Sequence, residues 1–101
     1  MKLVFIWHEE KALSNYRKHK VGFEEAKTVF GDSLLLTLPD ELHSDEEERF
    51  LSIGRSVRGR TLLVVHTEQM ENHDSLVIRI ISCRKATSKE RNVYEGKGRG
   101  A

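Results

Sequence analysis

An α+β fold is the class this sequence predicts, on three observations. Short runs rich in β-branched and aliphatic residues recur at 2–7, 33–38, 49–56, 61–68 and 75–85. Two stretches near the N-terminus instead repeat apolar residues at helical spacing. After them the strand-like runs follow one another through short connections, which favours an antiparallel meander over alternating βαβ units.

Taken in order, "KLVFIW" opens the chain as a first strand. "HEEKALSNYRKH" becomes a helix, with Ala12, Tyr16 and His19 as its inward stripe and Lys11, Asn15 and Lys18 as a neighbouring polar one. Glu9 and Glu10 in its first turn and Lys18 and His19 in its last complement the helix dipole. A second helix, "FEEAKTVF", sets Phe23, Ala26 and Phe30 on one face and stops at Gly31; Gly22 caps it without a side-chain oxygen. "SLLLTL" is a strand ended by Pro39, and the acidic segment after it reads as an exposed loop. "RFLSIGRS" and "TLLVVHTE" are strands joined by the turn "VRGR", with Gly59 at its tip. "QMENHD" is a polar hairpin loop leading to the strand "SLVIRIISCRK". Thr87 and Glu90 have capping-box spacing, so "TSKERNVYE" opens a final helix. The predicted order is β-α-α-β-β-β-β-α in an antiparallel sheet, with two N-terminal helices across one face and a short C-terminal helix near the edge or on the opposite face. Residues 1–95 are expected to form one domain and 96–101 a frayed tail.

With 101 residues the chain has room for one modest core. No run approaches the ~18–20 apolar residues that span a bilayer, so no membrane role is expected. The start, "MKLVFIWHEEK", runs straight into charge and does not read as a signal peptide. Cys83 is the single cysteine, which excludes an internal disulfide and fits a reducing cytoplasm. The net charge of +1 hides a segregation: "DELHSDEEE" holds six acids and no lysine or arginine, while Arg84 to Arg99 holds six bases against Glu90 and Glu95. A basic end attracts phosphates or an acidic partner, unless both segments are simply solvated faces.

The segments "FIWHEEKALSNYRKHKVGFEEAKTVF", "ERFLSIGRS", "GRTLLVVHTE" and "IRIISCRKATSKERNVYE" closely resemble the BrnT family of bacterial toxins over Phe5 to Glu95. The resemblance implies a RelE-like fold and a metal-independent endoribonuclease that inhibits translation and needs no cofactor. It also implies a cognate BrnA-like antitoxin with a DNA-binding domain, so that DNA is contacted only through the antitoxin. His8 and Gly22 depart from the family, which usually shows Asp, and Ser or Asp, at these two helix caps. The alternative from another class is a catalytically weak interaction module acting as co-repressor with that antitoxin.

Metal-free RNA cleavage needs the 2′-hydroxyl aligned for in-line attack, fixed cations around the phosphate, and groups that move protons. Arginine suits the second need, since its planar fork holds phosphate and stays charged. Strict alternation on the last strand places Arg79 with Val77, Ile81, Cys83 and Lys85, and Arg84 on the opposite face with Ile78, Ile80 and Ser82. Arg79 is open to two readings, a phosphate ligand or an ion pair with an acid such as Glu68. For Arg84 the resemblance supports a functional role. Tyr94 resembles a tyrosine of RelE-like toxins that stacks on a base or assists proton transfer; otherwise its ring closes the core edge. Arg84, Arg79 and Tyr94 are therefore the first catalytic candidates, with Arg60 and His66 second. Lys85, Lys89, Arg91, Lys11 and His19 are candidate RNA contacts. His43 and His73 sit in separate acidic loops without ligand spacing, so no metal site is expected. Cys83 reads as a small buried hydrophobe.

Overall fold

The computed structural model describes residues 1–96, so all of the expected tail beyond Gly96 lies outside the described residues. In chain order the elements are β1 (Lys2–Ile6), α1 (Glu9–His19), α2 (Phe23–Ala26), β2 (Leu36–Pro39), β3 (Phe50–Arg55), β4 (Thr61–Asn72), β5 (Ser75–Lys85) and α3 (Ser88–Tyr94). Helix α2 runs on as a 3₁₀ turn over Lys27–Gly31, and a second 3₁₀ turn, Glu41–His43, interrupts the acidic segment. His8 and Gly22 precede their helices without a side-chain cap bond. Thr87 and Glu90 close the capping box in both directions.

The five strands lie in the order β1-β5-β4-β3-β2. From β2 to β5 the pairing is antiparallel, but β1 pairs with β5 in parallel, so the sheet is mixed rather than wholly antiparallel. Parallel neighbours need a long crossover, which α1, α2 and the three strands after them supply. The register sets Leu3 and Phe5 beside Leu76 and Ile78, so the apolar faces coincide. β4 also runs on through Gln69–Asn72, reducing the expected six-residue loop to a turn at His73 and Asp74.

One sheet face is covered by α1 and α2. There Val21, Phe23, Ala26 and Val29 pack on Leu62, Val64, Ile78, Ile80 and Cys83, all essentially without exposure. Burial on this scale stabilises by roughly 1.5–3 kcal/mol per large aliphatic side chain. The inward stripe of α1 differs from the expected one. Asn15 is buried and Tyr16 is half exposed. The Asn15 amide forms a two-way pair with the Cys83 backbone, accepting from its N–H at 3.1 Å and donating to its C=O at 2.9 Å. β1 ends its pairing at Arg79, and Asn15 satisfies the strand edge beyond that point.

β5 does not alternate strictly. Val65 pairs with Ser82 and His66 with Ile80, leaving Ile81 unmatched as a β-bulge. The bulge shifts the phase of everything after it. Cys83 joins Ile78 and Ile80 on the helix-covered face, and Arg84 falls on the opposite face together with Arg79. The expected separation of the two arginines is thereby corrected.

Candidate active site

The second sheet face is only partly covered, and it carries a groove of about 480 Å³. Leu51, Leu63, Val65 and Ile81 line it as an apolar surface of the sheet. Arg84 and Glu90 line it from the β5–α3 corner, His19 from the end of α1, and Asp40, His43 and Arg49 from the acidic segment.

Each β5 arginine is held by a glutamate. Arg84 makes a bidentate pair with Glu90 at 2.8 and 2.9 Å, and Glu90 also accepts from the Thr87 N–H at 2.9 Å. The Arg84 guanidinium holds the Glu90 carboxyl below the usual carboxylate range, against the opposing effect of burial. Arg79 pairs with Glu47 rather than with Glu68. The acidic segment is exposed over most of its length, as expected, and Glu47 reaches from it to the arginine face.

Other sequence candidates have structural settings. Arg60 pairs with the buried Glu25 and reaches the Lys20 C=O at 3.4 Å, on the α2 side of the molecule. Glu25 also accepts from the Ser56 hydroxyl at 2.7 Å, so Arg60 belongs to a network that pins the β3–β4 turn to α2. His66 is fully buried, with Nε2 2.7 Å from the Ser52 hydroxyl and its ring between Phe30 and Phe50. Burial pushes its pKa down to about 4, and the nearest Glu68 oxygen is 3.8 Å from Nδ1, too far for a hydrogen bond. It lies inside the sheet–helix core, not on the sheet surface. Tyr94 packs on Ile53, Leu63 and Ala86 and donates its hydroxyl to Asp32. Burial, then Asp32, pushes the phenol up to about 12.

Among the candidate RNA contacts, His19 lines the groove. Lys11 lies close enough to Glu47 for its charge to be felt there. Lys85, Lys89 and Arg91 are exposed around the β5–α3 corner, with Arg91 donating to the Ser88 hydroxyl at 3.2 Å. Cys83 is buried as expected, and burial pushes its thiol up to about 12. Among the described residues no His, Cys, Asp and Glu cluster is arranged to hold a metal ion.

Two groove residues were missed by sequence reasoning. Arg49 bonds through its backbone to Asp40 and Ser44, its charge is felt at Glu47, and its Nε is buried without an acceptor. His43 sits with Nδ1 3.1 and 3.2 Å from the two oxygens of the buried Asp40 carboxylate. The only local signal was the D-x-x-H spacing, which a 3₁₀ turn brings together.

The groove thus combines an apolar sheet surface with two arginines, Arg84 paired with Glu90 and Arg49 without an ion pair among the described residues, an arrangement suited to a polyanion. No curated protein matches the chain. Its fold is similar to the crystal structure of the ribonuclease toxin BrnT from Brucella abortus, with a TM-score of 0.61, 19% identity, and coverage of 87% of this chain and 100% of that one. The family described as ribonuclease toxin, BrnT, of type II toxin–antitoxin system matches residues 7–90. The chain belongs to the BrnT family of ribonuclease toxins of type II toxin–antitoxin systems.

Proposed function

We propose that the chain is a metal-independent endoribonuclease that cleaves RNA by attack of the neighbouring 2′-hydroxyl and so inhibits translation. The observation that carries this reading is the convergence of Arg79 and Arg84 on one open sheet face, produced by the Ile81 bulge. In this proposal the RNA backbone lies along the groove and its phosphates take the places held by the Glu90 and Glu47 carboxylates. Arg84 and Arg79 then meet the charge that develops on the phosphate oxygens. His19, Lys11, Lys85, Lys89 and Arg91 extend the cationic surface along the strand. Tyr94, Arg60 and His66 serve the fold, since each has its polar group committed to a protein partner or to the core. The kinship with RelE toxins and the cytoplasmic site of action belong to the same reading. So does a BrnA-like antitoxin that masks the groove and brings DNA to the complex.

The test is cleavage of a defined RNA by antitoxin-free protein in EDTA, without ribosomes. Wild type is expected to cleave, and Arg84→Ala to lose about 10²–10³-fold in rate, the typical loss for one fixed transition-state donor. A folded wild type that leaves RNA intact would count against free nuclease activity.

A further inference from the structure

The arginines of the groove stay protonated at any working pH, so they stabilise charge but cannot take a proton from a 2′-hydroxyl. Two histidines line the groove, His19 and His43, and of these two only His43 has a carboxylate partner. That partner, Asp40, is 8% exposed, whereas the His43 side chain is 66% exposed. A buried carboxylate with one histidine as its side-chain partner orients the ring: Nδ1–H donates to Asp40, which leaves Nε2 of this exposed side chain with its lone pair.

The backbone around the pair is fixed at both ends. The Asp40 N–H donates to the Arg49 C=O at 2.8 Å, which closes the 40–49 loop at its base. The Ser44 hydroxyl donates to the Asp40 C=O at 2.6 Å and accepts from the Arg49 N–H at 3.0 Å. The same loop brings in Arg49, whose buried Nε has no acceptor. An arginine whose Nε lacks an acceptor and an oriented imidazole, lining one groove with Arg84, are a set of parts for phosphodiester chemistry.

We propose that His43, oriented by Asp40, is the catalytic group that takes the 2′-hydroxyl proton, with Arg49 of the same loop as a phosphate-holding cation. The inference rests on the ribonuclease reading above and assigns it a proton-transfer group. The 2′-hydroxyl proton passes to Nε2 as the 2′-oxygen forms its bond to phosphorus. The P–O5′ bond breaks with its electron pair on O5′, which takes a proton from water. The hydroxide left behind recovers the proton from the imidazolium, leaving a 2′,3′-cyclic phosphate and a 5′-hydroxyl. Asp40 is a positioning residue, acting through His43.

The experiment measures cleavage of a defined RNA in EDTA and, separately, binding of the uncleavable 2′-O-methyl version of that RNA. Wild type is compared with His43→Ala, His19→Ala, Asp40→Asn and the Asp40→Asn/His43→Ala double variant. His43→Ala is expected to lose about 10²-fold or more in kcat while binding the 2′-O-methyl RNA as wild type does, and added imidazole restores part of the rate. Asp40→Asn loses activity in the wild-type background but adds little to His43→Ala, because residues that act as a unit are non-additive. His43 is exposed, so its removal tests the proposal even if Asp40→Asn fails to fold. A wild type that cleaves alongside a His43→Ala within about threefold of it overturns the inference and leaves the ribonuclease reading standing. A loss that appears in His19→Ala instead does the same. A wild type that neither cleaves nor binds removes the ribonuclease reading and this inference with it.

Discussion

The hydroxyl of Tyr94 has a protein partner, Asp32. Asp32 accepts from it and also from the backbone N–H groups of Leu34 and Arg55, at 2.9 and 2.7 Å, so the one carboxylate ties α3 to the start of β2 and the end of β3. Tyr94→Phe is expected to lower stability by about 1–2 kcal/mol, read by denaturant unfolding, with RNA cleavage retained. His66 gives a prediction in pH. Its folded pKa of about 4 lies below the ordinary 6.5, so the unfolded chain binds the proton more readily between those values. The contribution is present in full above about pH 6.5 and is lost as pH falls toward 4, amounting to roughly 3 kcal/mol at most. Denaturant midpoints measured from pH 7 to pH 4 should fall, and should fall less in His66→Phe. Sequence spacing could not distinguish Asn15 from Tyr16, since both lie within reach of the sheet from one helix. The choice was made by an unpaired β5 backbone that only an amide can satisfy in both directions.

At the scale of elements, most strands and both longer helices were legible, because their apolar periodicity and the Thr87–Glu90 box are local signals. The parallel pairing of β1 was not, since nothing in residues 2–7 says which edge they join. The Ile81 bulge was also hidden: an extra residue in a run of β-formers leaves composition unchanged while inverting the phase of Cys83 and Arg84. Half of the candidate site depended on that phase. The loop histidine was hidden for a related reason, because its value comes from a buried carboxylate and burial of Asp40 is set by the fold. A further element-scale contact is the approach of β3 to the 3₁₀ turn after α2. A Cβ on Gly54 would lie 2.8 Å from Leu35 Cδ1, 3.1 Å from Val29 Cβ and 3.3 Å from the Val29 C=O. Gly54→Ala is expected to cost about 1–3 kcal/mol by overpacking, checked by thermal unfolding against wild type.

Over the whole molecule, the charge segregation of the sequence becomes an internal pairing. Glu47 and Glu90 lie against the β5 arginines Arg79 and Arg84, so that each arginine carries its own anion. In the proposed account RNA must displace them, and affinity reflects the difference between phosphate and carboxylate on the same guanidinium groups. Among the described residues no helix is long and apolar enough to cross a membrane. In the proposed account, the groove and the exposed basic corner at α3 are the surfaces on which RNA and antitoxin compete.

The most direct measurement is the affinity of wild type, Arg84→Ala and Glu90→Gln for one 2′-O-methyl RNA at fixed salt. Glu90→Gln keeps an oxygen for the Thr87 N–H but removes the charge that competes for Arg84. The account predicts opposite movements: weaker binding in Arg84→Ala by about 10-fold, as for loss of one charge-assisted contact, and tighter binding in Glu90→Gln. Affinities that stay equal across the three proteins would contradict an RNA site at Arg84.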